Sequence, residues 1–192
     1  YKVKNIVLDP IMISTNLNNL FTKKSFVSAI KIGMINGKEH AELIYDTLLK
    51  YKVKNIVLDP IMISTSGKSL IKDETKDFLI NKLFKSVDII TPNLDEAKEI
   101  VKMILNNENI ENIDSAKKMQ SYGKIIADFT KKWVLIKGGH LSNSAVDILL
   151  NSDETYILEG EKIPNNKTHG TGCSLSIFSI FSLFKIIFTI SF

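Results

Sequence analysis

The sequence contains no arginine; all 25 of its basic residues are lysine. That absence excludes the bidentate guanidinium clamp, so any phosphate must be held by lysine, by backbone N–H groups or by a metal. Cysteine is scarce as well, with Cys173 alone. One thiol cannot build an internal disulfide framework, and it fits a reducing compartment. There is no clustered basic run: the net charge of +4 comes from 25 basic against 21 acidic residues, with the lysines spread along the chain. Such a distribution does not imply nucleic acid. Nothing near Tyr1 resembles a signal peptide, because Lys2 and Lys4 precede an apolar stretch broken by Asp9 and Pro10, and the chain reads as cytoplasmic. A first residue of tyrosine, where a native start would give methionine, makes a fragment the expectation.

Long apolar runs are also missing, with one exception. Ser174 to Phe192 carries a single charge, Lys185, and is just long enough to raise a membrane span. Serines interrupt it and it grows directly out of a glycine turn, which favours a buried core helix. With 192 residues and 44% hydrophobic content, one core and one domain are the default.

What is present begins with a duplication. Residues 1–15 read YKVKNIVLDPIMIST, and residues 51–65 read the same. A perfect identity that stops abruptly differs from the diverged units of a solenoid. The second copy runs on into Ser66-Gly67-Lys68, a turn suited to a strand end, and reads as the native one. Residues 1–27 are therefore expected to be a duplicated, non-native segment, and residues 28–192 the working domain.

Hydrophobic spacing predicts alternating strands and helices from there on. Strands are expected over Ala29 to Met34, Asn55 to Met62, Val87 to Thr91 and Trp133 to Lys137, with a hairpin formed by Val146 to Leu150 and Thr155 to Ile163. Helices are expected over Gly37 to Tyr51, Lys72 to Phe84, Leu94 to Leu105 and Ser115 to Phe129, the last capped by Asp114. In the first of them Ala41, Ile44, Tyr45, Leu48 and Leu49 share one side. This alternation implies parallel βαβ units in an α/β sandwich.

In such sheets ligands sit beyond the carboxyl ends of the strands, and the unusual residues fall there: Gly33-Met34, Asp59-Pro60, Thr91-Pro92-Asn93 and Lys137-Gly138-Gly139. The densest motif is Lys167-Thr168-His169-Gly170-Thr171-Gly172-Cys173. Its glycines allow backbone N–H groups to turn toward an anion at a helix start, where a thiolate is also stabilised. Plainer readings stand beside these. The loop can be a turn before a buried helix with an inert cysteine, Glu96 a favourable first-turn carboxylate, Asp59 a residue shaping the turn before Pro60, Met34 a core residue and His169 a loop residue.

Taken in order, KIGM (31–34), VLDPIMISTSGKSL (57–70), ITPNLDEA (90–97), VLIKGGH (134–140) and THGTGCSLS (168–176) resemble the hydroxymethylpyrimidine/phosphomethylpyrimidine kinases. These belong to the ribokinase-like superfamily. The resemblance covers about residues 29 to 185 and implies a three-layer α/β/α sandwich with a mainly parallel central sheet, here with its N-terminal part missing and residues 28–192 as a partial kinase domain. It also implies ATP- and Mg²⁺-dependent phosphorylation of 4-amino-5-hydroxymethyl-2-methylpyrimidine and of its monophosphate, in thiamine biosynthesis. By position, Gly170, Thr171 and Gly172 would form the anion hole and Cys173 would be the base. Asn93, Lys137, Gly138, Gly139 and Thr168 would bind the nucleotide, Glu96 and Asp59 would serve the metal, and Met34 and Ile61 would meet the substrate.

The glycine- and serine-rich first strand turn of that family does not occur before Ser28, so slow turnover of the pyrimidine is expected of this chain. Pyridoxal kinase and a non-catalytic nucleotide-binding remnant are the alternative readings. The partner implied is a small pyrimidine, with neither nucleic acid nor membrane, and a homodimer is left open.

Overall fold

The computed structural model describes residues 4–8, 27–64, 68–139 and 145–160. Its elements are β1 (Lys4–Leu8), β2 (Val27–Ile32), α1 (Lys38–Tyr51), β3 (Ile56–Leu58), α2 (Asp73–Asn81), a 3-10 turn (Leu83–Ser86), β4 (Ile89–Ile90), α3 (Leu94–Leu105), α4 (Ala116–Thr130), β5 (Trp133–Lys137), β6 (Ala145–Leu150) and β7 (Thr155–Gly160). The strands form one seven-stranded sheet in chain order. β1 to β5 are parallel, and β6 and β7 return antiparallel.

Parallel neighbours joined in chain order by right-handed crossovers place their helices on a single face of the sheet. Packing agrees with that rule. Ala41, Ile44 and Leu48 of α1, Leu79 and Ile80 of α2, Ile100 and Val101 of α3, and Ile126 and Ala127 of α4 join one core with Ile30, Ile32, Ile56, Leu58, Ile90, Val134, Ile136 and Ile148. Alternate residues of the same strands, Val57, Ile89, Leu135 and Leu149, point to the other face and are buried too. A mainly parallel sheet apolar on both faces is the pattern of an α/β fold, as the alternation of strands and helices predicts.

Several boundaries differ from expectation for local reasons. The strand expected over Asn55 to Met62 shortens to Ile56–Leu58, because Asn55 takes a left-handed conformation and Pro60 has no N–H to give the ladder. Beyond it, Ile63 and Ser69 meet in an isolated antiparallel bridge. The helix expected to run to Phe84 stops at Asn81 and tightens into the 3-10 turn. Ser115, not Asp114, caps α4 by accepting from the Lys118 N–H, while Asp114 pairs with the Lys118 ammonium at 3.0 Å. Leu49, expected on the inner side of α1, is 55% exposed.

The duplicated peptide folds differently in its two places. In the first copy Lys4 and Asn5 belong to strand β1, whereas their counterparts in the second, Lys54 and Asn55, precede strand β3, with Asn55 in the left-handed region. Tertiary context overrides the local sequence here. The two copies nevertheless flank β2 in one register. Ile6, Val7 and Leu8 lie opposite Ile30, Lys31 and Ile32, and Ile56, Val57 and Leu58 lie opposite the same three residues.

Three helices end on a non-glycine residue in the left-handed region: Lys52, Asn106 and Lys131, with φ of 49°, 48° and 59°. A lysine there carries a steric penalty that glycine lacks, partly offset by the favourable charge at a helix C-terminus. Lys52→Gly and Lys131→Gly are each expected to raise stability by about 0.5–1 kcal/mol, read as a higher urea midpoint with an unchanged slope.

Candidate functional site

The carboxyl ends of β2 to β5 bring together residues far apart in the chain. Asp59 follows β3, with its side chain only 3% exposed, and its N–H continues the ladder to the Ile32 carbonyl at 2.8 Å. Two lysines reach it. Lys31, from β2, lies 3.3 Å from Oδ2, and Lys137, the last residue of β5, lies 2.7 Å from Oδ1. Between them, at the end of β4, the Thr91 hydroxyl lies 3.3 Å from Oδ1 and 3.4 Å from the Leu58 carbonyl oxygen.

One step further on, Asn93 begins helix α3 through a capping box: its Oδ1 accepts from the Glu96 N–H, and the Glu96 Oε2 accepts from the Asn93 N–H, both at 2.8 Å. This reciprocal pattern satisfies two of the orphan donors at a helix start. Asn93 also pairs with Lys137 in an isolated parallel bridge, and the Lys137 N–H donates to the Pro92 carbonyl at 2.9 Å. The capping box and the lysine pair are thus joined through the backbone. Glu96 is itself buried. Burial pushes its carboxyl up to about 7, helped by Asp59 and Asp95 and opposed by the Asn93 N–H and Lys137.

Gly138 and Gly139 differ in what they require. A Cβ on Gly138 would stand 2.0 Å from the Val146 carbonyl oxygen and 2.7 Å from the Met119 methyl, so packing against β6 and α4 alone demands glycine there. A Cβ on Gly139 would meet nothing within 4 Å. Asp147 of β6 accepts from the Gly138 N–H at 2.9 Å and fixes the strand exit. Burial pushes the Asp147 carboxyl upward, against the Gly138 N–H bond and Lys137. Met34 and Ile61 are half-buried just past the ends of neighbouring strands β2 and β3. Thr168, Gly170, Thr171, Gly172 and Cys173 lie outside the described residues.

The expected residues Asp59, Asn93, Glu96 and Lys137 therefore come together at one edge of the sheet. Lys31, Thr91 and Asp147 join them, although none of the three was assigned a site role from the sequence; Thr91 stood there only as part of a strand-end motif. A signal for Lys31 was available, since it is a lone charge inside the apolar strand AIKI. Both Asp59 oxygens are engaged by lysines, so the chain's own cations stand where a metal ligand would need open coordination.

A family model described as phosphomethylpyrimidine kinase matches residues 23–180. The chain belongs to the phosphomethylpyrimidine kinase family. Among curated members, the hydroxymethylpyrimidine/phosphomethylpyrimidine kinase of Aquifex aeolicus is 40% identical over 151 residues, covering 78% of this chain and 56% of the relative. The enzyme of the same name from Staphylococcus aureus is 37% identical, covering 77% and 52%. The chain thus spans about half the length of the curated relatives it matches. Among solved structures, the phosphomethylpyrimidine kinase of Clostridium difficile has a TM-score of 0.66 at 36% identity, over 80% of this chain and 63% of that one. An ADP complex of Bacillus subtilis pyridoxal kinase has a TM-score of 0.73 at 29% identity, over 88% and 61%. The phosphomethylpyrimidine kinase family thus shares its ribokinase-like fold with the pyridoxal kinases, and the sheet edge described above belongs to that fold.

Proposed function

We propose that the chain transfers the γ-phosphoryl group of ATP to the hydroxymethyl oxygen of 4-amino-5-hydroxymethyl-2-methylpyrimidine, and a second one to the resulting monophosphate. The observation that carries this reading is the Lys137–Asp59 pair joined through Asn93 to a buried carboxylate, at the carboxyl ends of a sheet in a phosphomethylpyrimidine kinase fold. With no arginine in the chain, this reading takes Lys137 as the cation that meets phosphate oxygens, and the glycine motif of residues 170–172 in the sequence as the source of further N–H donors. Cys173 takes the proton of the attacking hydroxyl as the O–P bond forms and the bond to the β-phosphate oxygen breaks.

Mg²⁺ fits this donor set as part of a metal–nucleotide complex. Among the described residues no group of three or more His, Cys, Asp or Glu could hold an ion, but Mg²⁺ commonly uses one or two carboxylates together with water and phosphates. Glu96, a buried carboxylate that favours its proton near neutrality, gains from a cation nearby, and Glu96 with Asn93 would hold the ion's shell. When bound, the metal neutralises charge on the phosphates.

The test is release of ADP from Mg-ATP by the purified chain, with the phosphate ester identified by mass. Pyrimidine-dependent release supports the proposal. Release driven by pyridoxal alone would favour the second reading, to which the Bacillus subtilis likeness lends weight. ADP binding without turnover on either substrate would leave a nucleotide-binding remnant. In an active preparation, Cys173→Ala should lower turnover about a hundredfold or more with nucleotide affinity nearly unchanged. Full turnover in that variant would remove Cys173 from proton transfer. Among the described residues no helix is long and apolar enough to cross a membrane.

A further inference from the structure

One buried carboxylate with two lysines is an uneven arrangement, and the two lysines are not equivalent. Lys137 holds Oδ1 at 2.7 Å with its side chain 22% exposed, while Lys31 holds Oδ2 at 3.3 Å with its side chain 11% exposed. Each cation has its own oxygen, so one can leave without disturbing the other. The Thr91 hydroxyl stands 3.3 Å from Oδ1 and can donate to that oxygen.

We infer that Lys31 is a positioning residue for nucleotide binding: it stays on Asp59 when Lys137 turns from Asp59 to the phosphates of a bound nucleotide. The inference rests on the nucleotide site proposed above. Its physical basis is that a carboxylate this buried strongly resists losing its last cation. Were Lys137 the sole partner of Asp59, the phosphates would have to compete with a pair whose rupture leaves an uncompensated buried charge. With Lys31 held on Oδ2 and Thr91 donating to Oδ1, Asp59 remains satisfied after Lys137 departs. A lysine suits the moving role, since its ammonium is a compact charge on a flexible stem. β5 continues from Lys137 into Gly138-Gly139, so the residue that moves lies at the open end of the strand.

The test is a double-mutant cycle on ADP affinity measured by titration calorimetry, with the unaltered chain, K31Q, K137M and K31Q/K137M. K31Q should weaken ADP by about tenfold or more, the loss expected when one charge-assisted contact is withheld. In the K137M background the same change should have almost no effect, because Lys31 acts through Lys137. Equal weakening in both backgrounds would mean that Lys31 attracts phosphate directly, and wild-type affinity in K31Q would mean that it plays no part; either result overturns the inference. A second measurement needs no change at position 31. In the ¹⁵N-labelled chain, saturating ADP should shift the Lys137 ammonium resonance and leave that of Lys31 in place, and equal movement of both would overturn the idea. Failure of the unaltered chain to bind ADP would instead overturn the proposed nucleotide site, and this inference with it.

Discussion

Asp59→Ala is expected to destabilise the protein by about 3–5 kcal/mol in Mg²⁺-free buffer, the cost of breaking a buried ion pair by removing one partner. The substitution leaves the ammonium groups of Lys31 and Lys137 facing a position that was 3% exposed, with no anion between them. Asp59→Asn keeps one acceptor oxygen and should cost less, about 1–3 kcal/mol. Urea unfolding at pH 7 measures both. If Asp59 served as a metal ligand without lysine partners, neutralising it in the absence of metal would relieve repulsion with Glu96 and stabilise the fold. A rise in the urea midpoint of Asp59→Asn would thus return Asp59 to the metal, and a fall assigns it to the lysines.

Glu96→Gln should act in the opposite direction on stability, and with a definite pH dependence. The folded carboxyl titrates at about 7, above its ordinary 4.5, chiefly because it is buried. A raised value means that the folded state favours the proton. The stability this group contributes is complete below about 4.5 and is lost as pH rises through about 7, a change of about 3 kcal/mol by linkage. Glutamine keeps an oxygen to accept the Asn93 N–H and has no charge to bury. Glu96→Gln should therefore match the unaltered chain near pH 4.5 and exceed it by about 3 kcal/mol at pH 8, while raising the Mg²⁺ concentration needed for activity. Parallel stability curves across that range would place the titration elsewhere. An unchanged Mg²⁺ dependence would leave Glu96 as a helix cap alone.

What could be read from the sequence was what local chemistry decides. Helix α3 spans Leu94–Leu105 as expected, because Asn93 and Glu96 form a capping box whose parts are three residues apart. Strand β5 spans Trp133–Lys137 as expected, its apolar run being bounded by a lysine pair and a glycine pair. The second copy of the duplicated peptide could not be bounded this way, because five of its residues are needed to end one helix and turn into the next strand. The charge row Lys31–Asp59–Lys137 was also out of reach. Asp59 and Lys137 are 78 positions apart, and they meet only because the sheet places β3 and β5 on either side of β4. Gly138 was legible as a glycine, but the close approach of Val146 and Met119 that demands glycine there was not.

The two copies flanking β2 also bear on how this chain recognises its own strands. Opposite Ile30, Lys31 and Ile32, each offers Ile-Val-Leu in one register, so backbone pairing and residue identity along that ladder cannot tell them apart. Only the copy reached from β2 through helix α1 goes on to pair with β4. The handedness of that crossover admits it on one side of β2 and disfavours the other. Selection between the copies is therefore written in the connecting helix. The peptide is an interchangeable part, and α1 is its address.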